Sequence, residues 1–173
     1  MDQYNITEFN EPRKIPSAIY QHTHDNLLRE ISDSTKNPKL RTYKNFKTEM
    51  RIEPYLNLGL PKKLYCSVAR FRLSSHNLQI ELGRHKRPFI QAEDRKCTKC
   101  NMNKVEDEEH YLMVCPMWDH YRLNLLQCAI SHIQGFLVYD QNQQFLEIMN
   151  SKVLEVNYAL GYFLHSSFNH GNS

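Results

Sequence analysis

Four side chains of the types that bind transition metals lie within the segment CTKCNMNKVEDEEHYLMVC, residues 97 to 115. Two residues separate Cys97 from Cys100, nine separate Cys100 from His110, and four separate His110 from Cys115. A CxxC turn brings two thiolates to one ion, and a histidine close before a cysteine supplies the other half of a tetrahedron. Three thiolates and an imidazole leave no open position for water. The spacing therefore predicts one structural Zn²⁺ site without metal catalysis.

Other interpretations of these residues are less consistent with the sequence. Cys97 and Cys100 could form a thioredoxin-like redox pair, but such a pair needs a β-α-β pattern, which the chain lacks. Asp119 and His120 could replace a ligand, although they lie a helical turn past Cys115.

The acidic run EDEE, residues 106 to 109, directly precedes His110. One of its carboxylates could accept a hydrogen bond from the second ring nitrogen of the imidazole and so fix its tautomer. A solvated loop is the simpler interpretation of four adjacent acidic residues. Cys66 and Cys128 lie on predicted apolar helix faces and are interpreted as buried hydrophobic residues.

Composition is typical of one compact domain: 173 residues, 40% of them hydrophobic, with a formal net charge of +3. There is no long apolar run and no secretory signal pattern at the start, so we expect an intracellular protein, in the nucleus or the cytoplasm. Five cysteines are an odd number in such a chain, which favours metal binding over disulfides.

Charge is distributed unevenly along the chain. Residues 1 to 35 hold 3 Lys or Arg against 6 Asp or Glu, residues 36 to 100 hold 16 against 5, and residues 101 to 173 hold 3 against 8. A basic block of this kind can steer a polyanion to one face, although a solvated basic surface would have the same composition. The predicted nucleic-acid contacts are Arg70, Arg72, His76, Arg84, Lys86 and Arg87, whose cationic groups suit phosphate oxygens.

The elements that must position these residues are predicted to be helices. Residues 1 to 16 show no periodicity and are interpreted as a flexible arm. Apolar residues recur at helical spacing in five further stretches: from Ser17 to Ile31, from Leu40 to Met50, from Pro61 to Phe71, from Pro116 to Gly135, and from about Ser151 to Phe163. Asp140 is a candidate N-cap for a short additional helix.

Strand signals are scarce. They are limited to FLVY at residues 136 to 139 and HYLMVC at residues 110 to 115. The predicted fold class is therefore mainly α, a small helical domain built around a CCHC zinc-knuckle-like segment with little or no β structure.

Three segments together resemble a known family. LRTYKNFKTEM, LPKKLYCSVARFRLSSHNLQIELGR and CTKCNMNKVEDEEHYLMVCPMW are similar, in that order, to the zinc-binding region that follows the reverse transcriptase of LINE-like (non-LTR) retrotransposons. The combination of FRLSSHNL with the CCHC set is the most specific part. The resemblance covers roughly residues 39 to 122 and divides the chain into an arm (1 to 16), an N-terminal helix and linker (17 to 38), this domain (39 to 122) and a helical tail (123 to 173).

The resemblance implies that Cys97, Cys100, His110 and Cys115 hold the metal. It also implies contact with nucleic acid, RNA or DNA, beside a retroelement reverse transcriptase. The chain has no Asp-Asp pair for a polymerase and no nuclease pattern after Cys115, so we expect no enzymatic activity. We also expect neither a small-molecule substrate nor a membrane partner. It resembles the tail of such an element, or a free-standing gene derived from one. The alternatives are a zinc module that mediates protein-protein interaction and a retroelement remnant without function.

Overall fold

The protein is mainly helical, as predicted. A computed structural model describes residues 17–33, 35–49 and 51–170, and the predicted N-terminal arm lies outside these ranges. The α-helices of the described residues are α1 (Ser17–Ser32), α2 (Lys62–Arg72), α3 (Gln79–Leu82), α4 (Asp119–His132), α5 (Gln141–Asn150) and α6 (Leu154–His170). Shorter 3-10 turns span Pro38–Leu40, Tyr43–Asn45, Pro54–Leu56, Gly83–His85, Ala92–Asp94, Pro116–Trp118 and Phe136–Val138.

Most helix ends follow the signals in the sequence. Pro61 immediately precedes α2. Gly135 lies in the turn after α4 and has a φ of +75°, a value that favours glycine. Asp140 caps α5, because its carboxylate accepts a hydrogen bond from the backbone N–H of Gln143. Helix α6 begins three residues later than the predicted start near Ser151.

The predicted helix from Leu40 to Met50 is wrong. The helical turns in that stretch are the end of one 3-10 turn, Pro38–Leu40, and a second one, Tyr43–Asn45, and Met50 lies outside the described residues. The side chain of Arg41, between the two turns, is held by buried carboxylates from distant segments. These long-range ion pairs override the weak local helix preference.

Both strand predictions are also wrong. Residues His110–Val114 form a turn of π-helix, and Phe136–Val138 form a 3-10 turn. Short apolar runs suit a buried strand or a buried helical turn equally well by pattern alone. In the described residues, β structure is limited to one antiparallel bridge between Lys96 and Val105.

Helix α6 is the centre of the hydrophobic core and packs against both α2 and α4. Leu160, Phe163 and Leu164 of this helix are fully buried. Each such side chain contributes roughly 1.5–3 kcal/mol through removal of its apolar surface from water. The predicted tail of residues 123 to 173 therefore shares its core with the cysteine segment, and its boundary at residue 122 falls inside α4.

Helices α2 and α6 approach closely at Gly161. A Cβ atom at this position would lie 2.8 Å from the Cβ atom of Leu64 and 3.3 Å from its backbone. Glycine in a helix interior costs about 1 kcal/mol relative to alanine. The close approach explains why glycine is present here despite that cost.

None of the helices in the described residues is both long and apolar enough to cross a bilayer.

We predict that Gly161→Ala destabilises the protein by about 1–3 kcal/mol, the usual cost of overpacking a core. The added methyl group forces α2 away from α6, and this exceeds the gain in helix propensity. Urea denaturation followed by circular dichroism measures the free energy of unfolding. The two effects have opposite signs, so a more stable variant would show that the helices do not constrain this position.

Candidate metal centre

The first two candidate ligands lie on a short loop that reverses direction. The backbone N–H of Cys97 donates to the carbonyl oxygen of Lys104 (2.8 Å), and that of Glu106 donates to the carbonyl oxygen of Arg95 (3.0 Å). Within the loop, the backbone N–H of Lys99 donates to Cys97 Sγ at 3.4 Å. The two hydrogen bonds close the base of the loop, and Cys97 and Cys100 lie on the loop between them.

The other two candidate ligands lie at the ends of the π-helical turn. The backbone N–H of Cys115 donates to the carbonyl oxygen of His110 at 2.8 Å. A π-helical hydrogen bond joins residues five apart, which is the separation of His110 and Cys115. The wide turn therefore places an imidazole and a thiol on the same side of the chain.

The four candidate ligands converge. Their ligand atoms all lie within 4.8 Å of one another. Cys97 Sγ lies 3.9 Å from Cys115 Sγ, and Cys100 Sγ lies 3.4 Å from His110 Nε2. Sulfur ligands about 2.3 Å from a common tetrahedral centre are about 3.8 Å apart. The cluster could therefore hold one metal ion, as the spacing predicts.

The protonation chemistry of the cluster fits a cation. Burial raises the pKa of the Cys97 and Cys115 thiols, because a thiolate is poorly solvated there. Burial also lowers the pKa of His110, which favours the neutral imidazole that binds metals. A bound cation would supply the charge that stabilises the thiolates. Asp119 forms an ion pair with Arg122 instead of joining the cluster.

The acidic run of residues 106 to 109 neither orients the His110 ring nor forms a solvated loop. The Nδ1 atom of His110 is buried and has no hydrogen-bond partner in the described residues, so no carboxylate of the run orients the ring. Nor is the run a solvated loop, because Glu106 and Glu108 are buried. Glu106 accepts a hydrogen bond from the backbone N–H of Gln79 at 2.8 Å.

Glu108 forms the centre of a buried polar network. Its side chain is 2% exposed and accepts hydrogen bonds from Arg41 Nη2 (2.6 Å), Thr42 Oγ1 (2.9 Å) and Ser74 Oγ (2.7 Å). The Nε2 atom of His76 lies 2.9 Å from the same carboxylate. Burial alone would raise the pKa of Glu108, but the His76 hydrogen bond and the charge of Arg41 lower it to about 2. The network joins two distant segments to Glu108, which lies two positions before His110.

Two of the predicted nucleic-acid contacts are inside the protein. Arg72 is 3% exposed, donates to the carbonyl oxygen of Met149 and to Glu53 Oε2 (2.6 Å), and lies over the Phe46 ring. The His76 side chain is buried against Glu108. Both terminal nitrogens of Arg72 and Nε2 of His76 already have protein partners, and the burial of the two side chains removes them from the predicted contact surface.

The remaining predicted contacts differ in availability. Arg84 is half-buried and forms an ion pair with Glu81 at 3.3 Å, whereas Arg70, Lys86 and Arg87 are exposed. Within the described residues, at least six of the 16 cations in residues 36 to 100 form ion pairs with carboxylates: Lys36, Arg41, Lys47, Arg51, Arg72 and Arg84. Part of the basic block therefore holds the fold together.

Comparison with protein-family models, with curated proteins and with solved structures finds no match to this chain.

We predict that the purified protein carries about one metal ion, bound by the Cys97, Cys100, His110 and Cys115 cluster. Inductively coupled plasma mass spectrometry measures the content. The variant Cys97→Ser/Cys100→Ser should lose the metal, because it lacks half of the ligand set. The matched control Cys66→Ser/Cys128→Ser removes two thiols outside the cluster and should retain it. Equal metal content in the two variants would exclude the cluster as the site.

We predict that Glu108→Gln lowers the free energy of unfolding by about 3 kcal/mol. The amide removes the negative charge opposite Arg41 and turns an NH₂ group toward side chains that donate. Urea denaturation at neutral pH measures the change. Glu109→Gln is the control, because Glu109 accepts only from the exposed side chains of Gln141 and Asn142; it should change stability by less than about 0.5 kcal/mol. Similar losses in both variants would contradict the role of the network.

Proposed function

We propose that this chain is a zinc-stabilised nucleic-acid-binding module, derived from a non-LTR retrotransposon polyprotein. The observation that carries the proposal is the convergence of Cys97, Cys100, His110 and Cys115 within 4.8 Å. These residues belong to the segment that, with FRLSSHNL, resembles the zinc-binding region of LINE-like elements. The partner implied by that resemblance is a retroelement reverse transcriptase.

The proposed metal is Zn²⁺, with a structural role. Three thiolates and one imidazole are soft to borderline ligands that suit zinc, and four protein ligands close the coordination sphere. The ion would link the π-helical turn to the CxxC loop, whose base is closed by the bridge between Lys96 and Val105. The metal analysis described above should return zinc, and iron or copper in its place would contradict the assignment.

The module has no polymerase or nuclease activity of its own in this proposal. A two-metal polymerase site needs paired aspartates, and the sequence contains no Asp-Asp pair. The proposed role is to hold nucleic acid for an enzyme supplied by another polypeptide or another domain.

Exposed cations support the nucleic-acid part of the proposal. Arg70, Lys86 and Arg87 are exposed and form no ion pair within the described residues. Contacts of this kind are made to phosphates, so they should give affinity without base selectivity.

The test is binding of the metal-loaded protein to labelled RNA, single-stranded DNA and duplex DNA at increasing salt, measured by fluorescence anisotropy. We expect log K to fall linearly with log salt, by about 0.7–0.9 for each phosphate neutralised. The chelated protein serves as the control for the metal, and its affinity should be lower because the fold around the cluster loosens. No binding of any nucleic acid at about 0.15 M salt would overturn the proposal.

Protein-protein interaction is the second candidate function, and one observation favours it. Leu137 and Val138 are 72% and 84% exposed in the 3-10 turn Phe136–Val138. They lie in residues 101 to 173, which hold 8 acidic residues against 3 basic ones. Exposed apolar side chains in acidic surroundings suit a basic protein partner. Failure of nucleic-acid binding would favour this alternative.

A further inference from the structure

A groove of about 840 Å³ runs between α2, the loop after it and the last turns of α6. Its polar lining includes Lys62, Lys63 and Arg70 from α2, Asn77 from the loop, and His165 and Asn169 from α6. No carboxylate of the described residues lines it. A concave surface with cations and amides but no acidic group attracts anions.

The three cations of the groove are available to a ligand. Lys62, Lys63 and Arg70 are exposed, and none forms an ion pair within the described residues. This distinguishes them from Arg72, two residues beyond Arg70, which is buried and paired with Glu53. The two arginines point about 200° apart around α2, so one faces the groove and the other faces the core.

One wall of the groove is fixed by aromatic stacking. The ring of Phe168 stacks on His76, with centroids 6.2 Å apart and an interplanar angle of 15°. It also stacks on the buried ring of Tyr111, with centroids 5.0 Å apart and an interplanar angle of 11°. His76 is itself held by Glu108. The groove is therefore formed before any ligand arrives, which reduces the entropic cost of binding.

Exposed tyrosines extend the same face of α6. Tyr158 and Tyr162 are 49% and 50% exposed. At 3.6 residues per turn, they lie within an arc of about 60° that also contains His165 and Asn169 of the groove. The two tyrosines are one turn apart, roughly 6 Å along the helix axis. Glu155 and Tyr158 both line a second groove, which is mostly apolar. The negative charge of Glu155 disfavours phosphate near Tyr158.

We propose that this groove binds single-stranded nucleic acid, with phosphates at Lys62, Lys63 and Arg70 and bases stacked on Tyr158 and Tyr162. A basic groove beside exposed aromatic rings is the combination that holds single strands without sequence preference. Duplex DNA is disfavoured, because its bases are stacked on one another and cannot offer their faces to tyrosine. The inference rests on the proposed function and adds to it a groove that Arg70 lines and that Lys86 and Arg87 do not.

The test compares charge removal inside and outside the groove. The groove variant is Lys62→Gln/Lys63→Gln/Arg70→Gln. The matched control is Lys39→Gln/Lys104→Gln/Lys152→Gln, which removes the same charge at exposed residues that do not line the groove and form no ion pair within the described residues. Labelled oligouridine, oligodeoxythymidine and a duplex of about 15 nucleotides are titrated against each zinc-loaded protein by anisotropy. The first two probes distinguish RNA from DNA.

For the groove variant, we expect the slope of log K against log salt to fall by about 2 with both single strands, since each contact contributes about 0.7. The control should keep the wild-type slope. Tyr158→Leu/Tyr162→Leu should weaken single-strand binding about tenfold or more at an unchanged slope. Tyr158→Phe/Tyr162→Phe should bind as the wild type does, because phenylalanine also stacks.

The outcomes separate this inference from the proposed function. A wild-type protein that binds none of the three probes overturns both. A wild-type protein that binds, with equal losses in the groove and control variants, overturns the groove alone. Equal affinity for the duplex, or no effect of the leucine substitutions, overturns the single-strand assignment. Circular dichroism of each variant shows that changes in binding do not come from unfolding.

Discussion

The fold around the cysteine cluster depends on one buried carboxylate. Glu108 receives Arg41 and Thr42 from the segment before α2, and Ser74 and His76 from the loop after it. A buried charge is tolerated only when it is paired and its lone pairs are satisfied, so each of these segments is held close to Glu108. Because His110 is two residues further along the chain, the same network fixes the start of the π-helical turn. The candidate metal centre is thus positioned by ionic contacts as well as by its own ligands.

The network also connects the cluster to the proposed binding surface. His76 contacts Glu108 on one side and stacks with Phe168 on the other, and Phe168 forms part of the groove between α2 and α6. The shape of the groove further depends on Gly161, which allows the two helices to approach. The chain therefore uses one set of buried contacts to orient the ligands and to shape a surface that faces solvent.

The basic block has two roles that its composition does not separate. Arg41 and Arg72 serve as internal counterions, one for Glu108 and Glu81 and the other for Glu53. The cations that remain at the surface without carboxylate partners, such as Lys62 and Arg70, are those that a polyanion could reach. Total charge thus overstates the surface available to nucleic acid, because buried arginines count equally in the sum.

The sequence by itself determined the helical class, the helices around Leu64, Leu125 and Leu160, the cap at Asp140, and which four residues cluster as candidate metal ligands. These features are local: they depend on helical periodicity, on capping chemistry or on the spacing of residues close in the chain.

Tertiary structure decided which charges are buried. In a run of adjacent acidic residues, residue type alone does not distinguish buried Glu108 from Glu109. Likewise, residue type does not show that Arg72 is buried while Arg70 is exposed. Their burial depends on partners 19 or more residues away, such as Arg41 for Glu108 and Glu53 for Arg72. The energy of a buried ion pair exists only when both partners are in place, so a local pattern does not reveal it.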